Sequence, residues 1–391
     1  MSAAKAQARG FLALELDGDG AHPAAWRAAR HAPAELLTGH RIRATVLAAE
    51  SAGFHVATFS DGPLDARAGV GGRLDAVQRA AFAGPLTHSI VLVPEVDTVY
   101  TEPFHVATQL ASLDYVSGGR AGWLVAAGGT GAEGAAVGRP AVEGEALAAE
   151  AAASIEVGRR LWDSWEDGAV IRDVDSGRYL DVGKLHYADF ETGPDFPGQG
   201  YSVKGPAIIP RPLQGQLPVL APAGLLGGEL LGGGLAAGGR DSGIDAVLFT
   251  APDADGLAAE AGLVRARAQG AVAVIAELDV VLDARGQRAA ERVAELDAHV
   301  PWTSSRARYT GGAAGLVQLL ADILAVADGV RLHPAVLDVD LDELSRQVLP
   351  QLRRLGVLAP VGVDATFRDL LGLARPANRN TALEHQGATH E

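Results

Sequence analysis

Three groups of polar side chains stand just past apolar runs, where a strand would hand over to a loop. Asp17, Asp19 and His22 follow Phe11-Leu12-Ala13-Leu14-Glu15-Leu16. Asp61 follows His55 to Phe59, and Tyr100, Glu102 and His105 follow Ser89 to Val96. Carboxylates, an imidazole and a phenol in such places can accept a ring N–H, bind a polar substrate or move a proton. Each also has an ordinary structural use. Asp61 beside Gly62 suits a turn or a cap, glycine-flanked Asp17 and Asp19 favour turn formation, and His105 on a helix face suits packing or capping.

Other chemistries find little support. Gly129-Thr130-Gly131-Ala132-Glu133-Gly134 matches G-x-G-x-x-G after a strand, the context of a dinucleotide fingerprint. It follows the fourth strand, however, and no acidic-tipped strand arrives after a short helix, so in a chain rich in alanine and glycine a chance match is the stronger reading. The chain has no cysteine, which removes thiolate nucleophiles, disulfides and Cys-ligated metals. The histidines lack H-x-x-x-H or H-x-x-E-H spacing, and neither a G-x-S-x-G elbow nor a P-loop is present. A net charge of −15 argues against a nucleic-acid or anionic-membrane partner. No apolar run approaches the roughly 18 residues of a membrane span, and Met1-Ser2-Ala3-Ala4-Lys5 does not open a secretory signal, so a cytoplasmic protein is expected.

The elements that must position these residues alternate. Strand-like runs at 11–16, 55–59, 89–96, 122–127, 217–221, 245–250, 271–282 and 329–332 are mostly followed by helical patterns. The principal ones fall at about 35–52, 74–82, 103–116, 143–165, 286–297, 312–326 and 342–355. Eight such strands call for an α/β fold, a closed (β/α)8 TIM-type barrel. A chain of 391 residues with 48% hydrophobic but few aromatic residues suits parallel strands covered on both faces. Residues 168–215 break the rhythm with Gly/Pro turns and short strands, and are expected to form an inserted lobe. The barrel domain is expected to cover 1–379, with 380–391 a polar tail.

Five stretches resemble the nitrilotriacetate and sulfone monooxygenase branch of the luciferase-like flavin monooxygenases. They are Leu16-Asp17-Gly18-Asp19-Gly20-Ala21-His22-Pro23-Ala24-Ala25-Trp26-Arg27; Thr101 to Val106 with Leu113 to Trp123; Arg160-Leu161-Trp162-Asp163-Ser164-Trp165 with Lys184-Leu185-His186-Tyr187; Tyr201 to Pro206 with Pro210-Arg211-Pro212; and Gly329 to Leu332 with Leu373 to Arg379. The resemblance implies a barrel that takes reduced FMN from a separate flavin reductase and, with O₂, oxygenates a small substrate. It places Asp61 beside the flavin ring, with Thr58 just before it and Tyr100 at the third strand's contact. It also marks departures. Leu124 stands where the family has Asn, Ala148 aligns with its phosphate-binding tyrosine, and Leu226 replaces a phosphate serine. Gly224, Gly227 and Gly228, with the Gly128–Gly131 loop, are left to offer backbone amides.

Two functions follow from the resemblance: an FMNH₂- and O₂-dependent monooxygenase, or a degenerate paralogue that keeps the barrel and serves as a partner subunit. An apolar-ligand binder using the emptied pocket is a third. By resemblance the chain forms a homodimer, or a heterodimer with a related barrel.

Overall fold

The computed structural model describes residues 10–62, 71–128, 130–225, 243–267 and 272–381. Eight parallel strands run in chain order: β1 (Phe11–Glu15), β2 (Val56–Phe59), β3 (Val91–Asp97), β4 (Trp123–Ala126), β5 (Val219–Pro222), β6 (Ala246–Phe249), β7 (Ala273–Leu282) and β8 (Gly329–Pro334). The principal helices are α1 (Gly39–Ala52), α2 (Ala76–Ala83), α3 (Pro103–Ser117), α4 (Gly131–Ala136), α5 (Glu145–Asp163), α6 (Leu257–Arg267), α7 (Ala289–Asp297) and α8 (Ala313–Leu324). This succession is the closed (β/α)8 TIM-type barrel that the alternation of the sequence calls for. The chain clusters into two compact units, Met1–Glu95 with Asp245–Ala365 and Val96–Ile244 with Thr366–Glu391.

In the first unit the parallel order is β3-β2-β1-β8-β7-β6, in register through Val56↔Val91, Ala13↔Val56, Phe11↔Gly329, Ile275↔Gly329 and Ala246↔Ala273. Val, Leu, Ile and Ala fill most positions of these strands because both faces are covered. Thr38 caps α1, its hydroxyl accepting from the Arg41 amide at 3.3 Å, and Asp75 caps α2 in the same way at 2.8 Å. One strand was not foreseen: Ala307–Gly311 pairs in parallel with the far half of β7, from Leu278↔Ala307 to Leu282↔Gly311. Its residues, Ala-Arg-Tyr-Thr-Gly, carry no apolar run, because it lies beside β7 with most of its side chains only partly buried. The last helical stretch is also subdivided, into Leu337–Glu343, a π-turn at Leu344–Val348 and Leu349–Leu355.

In the second unit β4 pairs with β5 through Trp123↔Val219, and α3 packs on α5. Trp123 and Trp162 meet edge to face, 6.4 Å between centroids. Residues 168–215 hold two antiparallel hairpins, Val170–Asp173 with Arg178–Leu180 and Phe190–Glu191 with Ser202–Val203. The Trp-Asp-Ser-Trp motif ties this region down: Trp162 donates to the Ala107 carbonyl at 3.0 Å and Trp165 to that of Ala207 at 2.8 Å. Buried Arg211 bridges Asp163 and Asp167, each at 2.9 Å. Asn378 is buried against the Asp163 and Trp165 carbonyls, so order extends past Ala377.

Candidate functional site

In a parallel strand every second residue shares a face. Glu277 and Asp279 on β7, and Arg331 and His333 on β8, are therefore pairs on one face each. Their side chains converge with the end of β1 on a buried charged cluster. Arg331 is its centre. Its Nε donates to Thr58 Oγ1 at 2.9 Å, its Nη1 to Glu277 at 2.9 Å, and its Nη2 to Glu15 and to Ser60 Oγ. Thr58 Oγ1 donates in turn to Glu15 at 2.6 Å, and the Ser60 amide donates to the other Glu15 oxygen at 2.9 Å. His333 Nε2 lies 3.2 Å from Glu277, and Arg306 Nε lies 2.6 Å from Asp279.

Electrostatics divide these acids. Burial pushes Glu15 upward, but Arg331 overcomes it and holds the group below the usual range. Burial likewise opposes ionisation of Glu277, yet the His333 hydrogen bond and the Arg331 charge bring it down to about 2. Burial, then the Arg331 charge, lowers His333, which favours a neutral ring donating to Glu277. Glu95 on β3 is different: burial raises it to about 7, Arg331 opposing this and Glu15 adding to it. One guanidinium facing Glu15, Glu277 and Glu95 leaves one of the three holding a proton near neutral pH.

That arrangement has a measurable consequence. The folded chain retains the Glu95 proton up to about pH 7, whereas an unfolded chain releases it near 4.5, so stability falls as pH rises through this window. Glu95→Gln removes that loss. The variant is expected to melt a few degrees above the parent at about pH 8 and together with it at about pH 4; an equal offset at both pH values would contradict the assignment.

Beside this cluster, where β1 ends, lies a cavity of about 320 Å³ within the first unit. Asp17, Asp19, Arg41, Arg73, Trp26 and Trp302 are among its walls. The turn carrying the two aspartates closes through Gly20 N–H to the Asp17 carbonyl at 3.2 Å. Gly20 has φ +129°, and a Cβ there would stand 2.4 Å from the Ala335 oxygen, so only glycine fits. Arg73 donates to Asp17 at 2.7 Å. Burial raises both aspartates above the usual carboxylate range, against Arg73 for Asp17 and His31 for Asp19. The two aspartates thus form the turn and also line the cavity. His22 is fully engaged, its Nδ1 accepting from the Ala24 amide at 3.0 Å and its Nε2 facing Asp297 at 3.1 Å.

The expected flavin contacts have other partners. Thr58 is locked between Glu15 and Arg331. Asp61 accepts from the Gly62 and Ala76 amides at 3.0 and 3.1 Å, joining its loop to the start of α2. Tyr100 belongs to the second unit, where its hydroxyl donates to the Pro140 carbonyl at 3.0 Å and its amide to Asp97. Glu102 caps α3, accepting from the His105 amide at 2.9 Å. Gly128 donates to Asp97 at 2.8 Å, and Thr130 with Glu133 forms a capping box on α4. Gly134 is small for packing, since a Cβ would meet the Arg139 and Pro140 oxygens and the Tyr100 hydroxyl. The G-x-G-x-x-G match is thus a helix start. Gly224 sits in a short 3-10 turn, Ala223–Leu225. Leu226, Gly227 and Gly228 lie outside the described residues.

An FMN phosphate needs donors. Leu124 is buried and apolar, Ala148 on α5 has none to offer, and the Thr58 and Tyr100 hydroxyl protons are already spent. Among the described residues, the set assigned to FMN by resemblance does not fit a tightly held phosphate. No group of three or more His, Asp or Glu is poised for a metal among them, and none of their helices is long and apolar enough to cross a membrane.

Of the central cluster, sequence inspection picked out only Thr58. The available signal was charge inside apolar strands: Leu14-Glu15-Leu16, Val93-Pro94-Glu95-Val96, Ala276-Glu277-Leu278-Asp279 and Val330-Arg331-Leu332. A charge in a strand covered on both faces must find a partner there.

Comparison with known proteins adds to this. A family profile, the luciferase-like monooxygenase, matches residues 21–348. The N-acetyl-S-(2-succino)cysteine monooxygenase of Bacillus subtilis (strain 168) is 38% identical over 145 residues, covering 36% of this chain and 31% of that protein. Nitrilotriacetate monooxygenase component A of Aminobacter aminovorans is 41% identical over 140 residues, covering 36% and 29%. The matches thus span about a third of the length of these curated relatives. The solved EDTA monooxygenase of Chelativorans sp. BNC1 superposes with a TM-score of 0.75 at 19% identity, over 94% of this chain and 99% of that one.

Proposed function

Since this chain belongs to the luciferase-like monooxygenase family, we propose that it oxygenates a small organic molecule with O₂, using reduced flavin taken from a separate reductase and released after turnover. Reduced flavin, when bound, would supply the two electrons with which one oxygen atom could enter the substrate and the other leave as water. The flavin is a visiting co-substrate here, in keeping with the lack of a fitting set of phosphate donors among the described residues. The name of the relative that is "component A" of its monooxygenase supports a two-component arrangement.

One observation carries the reading. The turn after β1 lines a cavity with Asp17 and Asp19, and the strands themselves bury Glu15, Glu95, Glu277 and Arg331, where an inert barrel could be filled with leucine. Arg331 fixes a positive charge there, and Glu95 is the group that gains or loses a proton near neutral pH. The assembly is a dimer, with itself or with a related barrel.

Anaerobic titration with FMNH₂ tests the reading. Saturation at sub-millimolar concentration is expected, followed by reductase-coupled oxygen uptake that rises with substrate. If neither reduced nor oxidised FMN binds up to about 1 mM, the proposal fails. Buried Leu124 and the engaged Thr58 and Asp61 would then favour the second reading, a non-catalytic partner subunit, which co-purification with an intact family member would identify.

A further inference from the structure

The charged walls of the cavity after β1 are spent on one another. Asp17 takes Arg73 at 2.7 Å and Arg79 at 3.5 Å, Asp19 Oδ1 lies 2.6 Å from His31 Nε2, and Arg41 is paired with Asp338 at 2.7 Å. Counting Asp338, three carboxylates balance three guanidiniums, so a charged ligand would shed its water without meeting a free counter-charge. What the cavity offers is ring surface. Trp26, Phe59 and Trp302 line it together with Leu16, Leu36 and Ile42. The two tryptophans are pinned from outside: the Arg27 guanidinium lies 5.0 Å from the Trp26 ring centre and that of Arg308 lies 3.8 Å from the Trp302 ring centre, and neither arginine is among the cavity walls. A ring already stacked on a cation has little left to attract a second one. Its rigidity also lowers the cost of packing a flat ligand against it. Size points the same way. An apolar cavity of about 150 Å³ holds benzene, and this one, at about 320 Å³, is about twice as large.

We propose that this cavity binds an uncharged, fused two-ring aromatic molecule, packed against Trp26 and Trp302. The inference rests on the oxygenase reading, which requires a place for a small organic substrate, and it names the class of that substrate. Recognition here is by shape and ring surface, and the paired charges serve to hold the walls in place.

Calorimetry on flavin-free protein tests it with 2-naphthol, 2-naphthoate, 2-naphthylmethylammonium and phenol: the uncharged two-ring ligand, its anionic and cationic counterparts, and a single ring. 2-Naphthol is expected to bind below about 1 mM. Both ions should bind at least about tenfold more weakly, and so should phenol, which buries about four fewer carbons. Trp26→Ala should weaken 2-naphthol about tenfold, and Ile42→Trp, which fills the cavity from α1, should abolish its binding. Circular dichroism checks that both variants fold, and if either does not, the ranking of the four ligands on the parent protein decides. Equal or tighter binding of either ion or of phenol, binding of none, or 2-naphthol binding untouched by both variants overturns the proposal. The test uses no flavin. Binding of 2-naphthol without FMNH₂ binding would remove the oxygenase reading and leave the ligand class standing, and FMNH₂ binding with oxygen uptake but no 2-naphthol binding would remove this proposal alone.

Discussion

Arg331→Leu is expected to lower folding stability by about 3–5 kcal/mol, read as a shifted urea midpoint at neutral pH. Arg331 is 5% exposed, and its guanidinium meets Glu15, Glu277, Thr58 and Ser60 at once. Without it Glu15 keeps only Thr58 and the Ser60 amide, and Glu277 keeps His333. Both then ionise in a buried setting without their shared guanidinium, Glu277 retaining only the more remote Arg306 charge, a larger penalty than the loss of the hydrogen bonds themselves. In the parent, Arg331 is a main reason their ionisation is favoured, so both carboxyls should rise in the variant. Carboxyls raised above their unfolded values lose stability as pH increases; the variant should therefore recover toward the parent as pH falls to about 5. Adding Glu15→Gln should restore part of the loss at neutral pH. A single variant within about 0.5 kcal/mol of the parent would show that the cluster is not the barrel's electrostatic keystone.

FMN and riboflavin are expected to bind within about threefold of each other, which is less than the worth of one hydrogen bond. The two differ only in the phosphate. Where a protein grips that group, each charge-assisted bond contributes about 1.5–3 kcal/mol, and two or three make the nucleotide hundreds of times tighter. Here buried Leu124 and donor-free Ala148 stand at the assigned positions, and the hydroxyl of Tyr100 faces Pro140. Parallel titrations followed by flavin fluorescence decide the matter. Preference for FMN above about thirtyfold would mean that donors elsewhere hold the phosphate, and would make flavin a resident cofactor.

The sequence by itself determined the barrel and the family. Strands covered on both faces must be continuous apolar runs, and a helix start can announce itself locally, as Pro103 does in the first turn of α3. Those signals act within a few residues, so they survive in one dimension. The edge strand Ala307–Gly311 escaped because its side chains are only partly buried and leave no such run. What only the tertiary structure decided is which polar side chain is already satisfied. Thr58 and Asp61, expected beside a flavin, are also bonded to Arg331, 273 residues away, and to the Ala76 amide. Glu15 and Arg331 are separated by 316 residues, and Asp19 and Arg41 share a cavity only because a turn and a helix meet there. Hydrogen-bond valence is settled in space by whatever packs nearby, and no local pattern of residues encodes it.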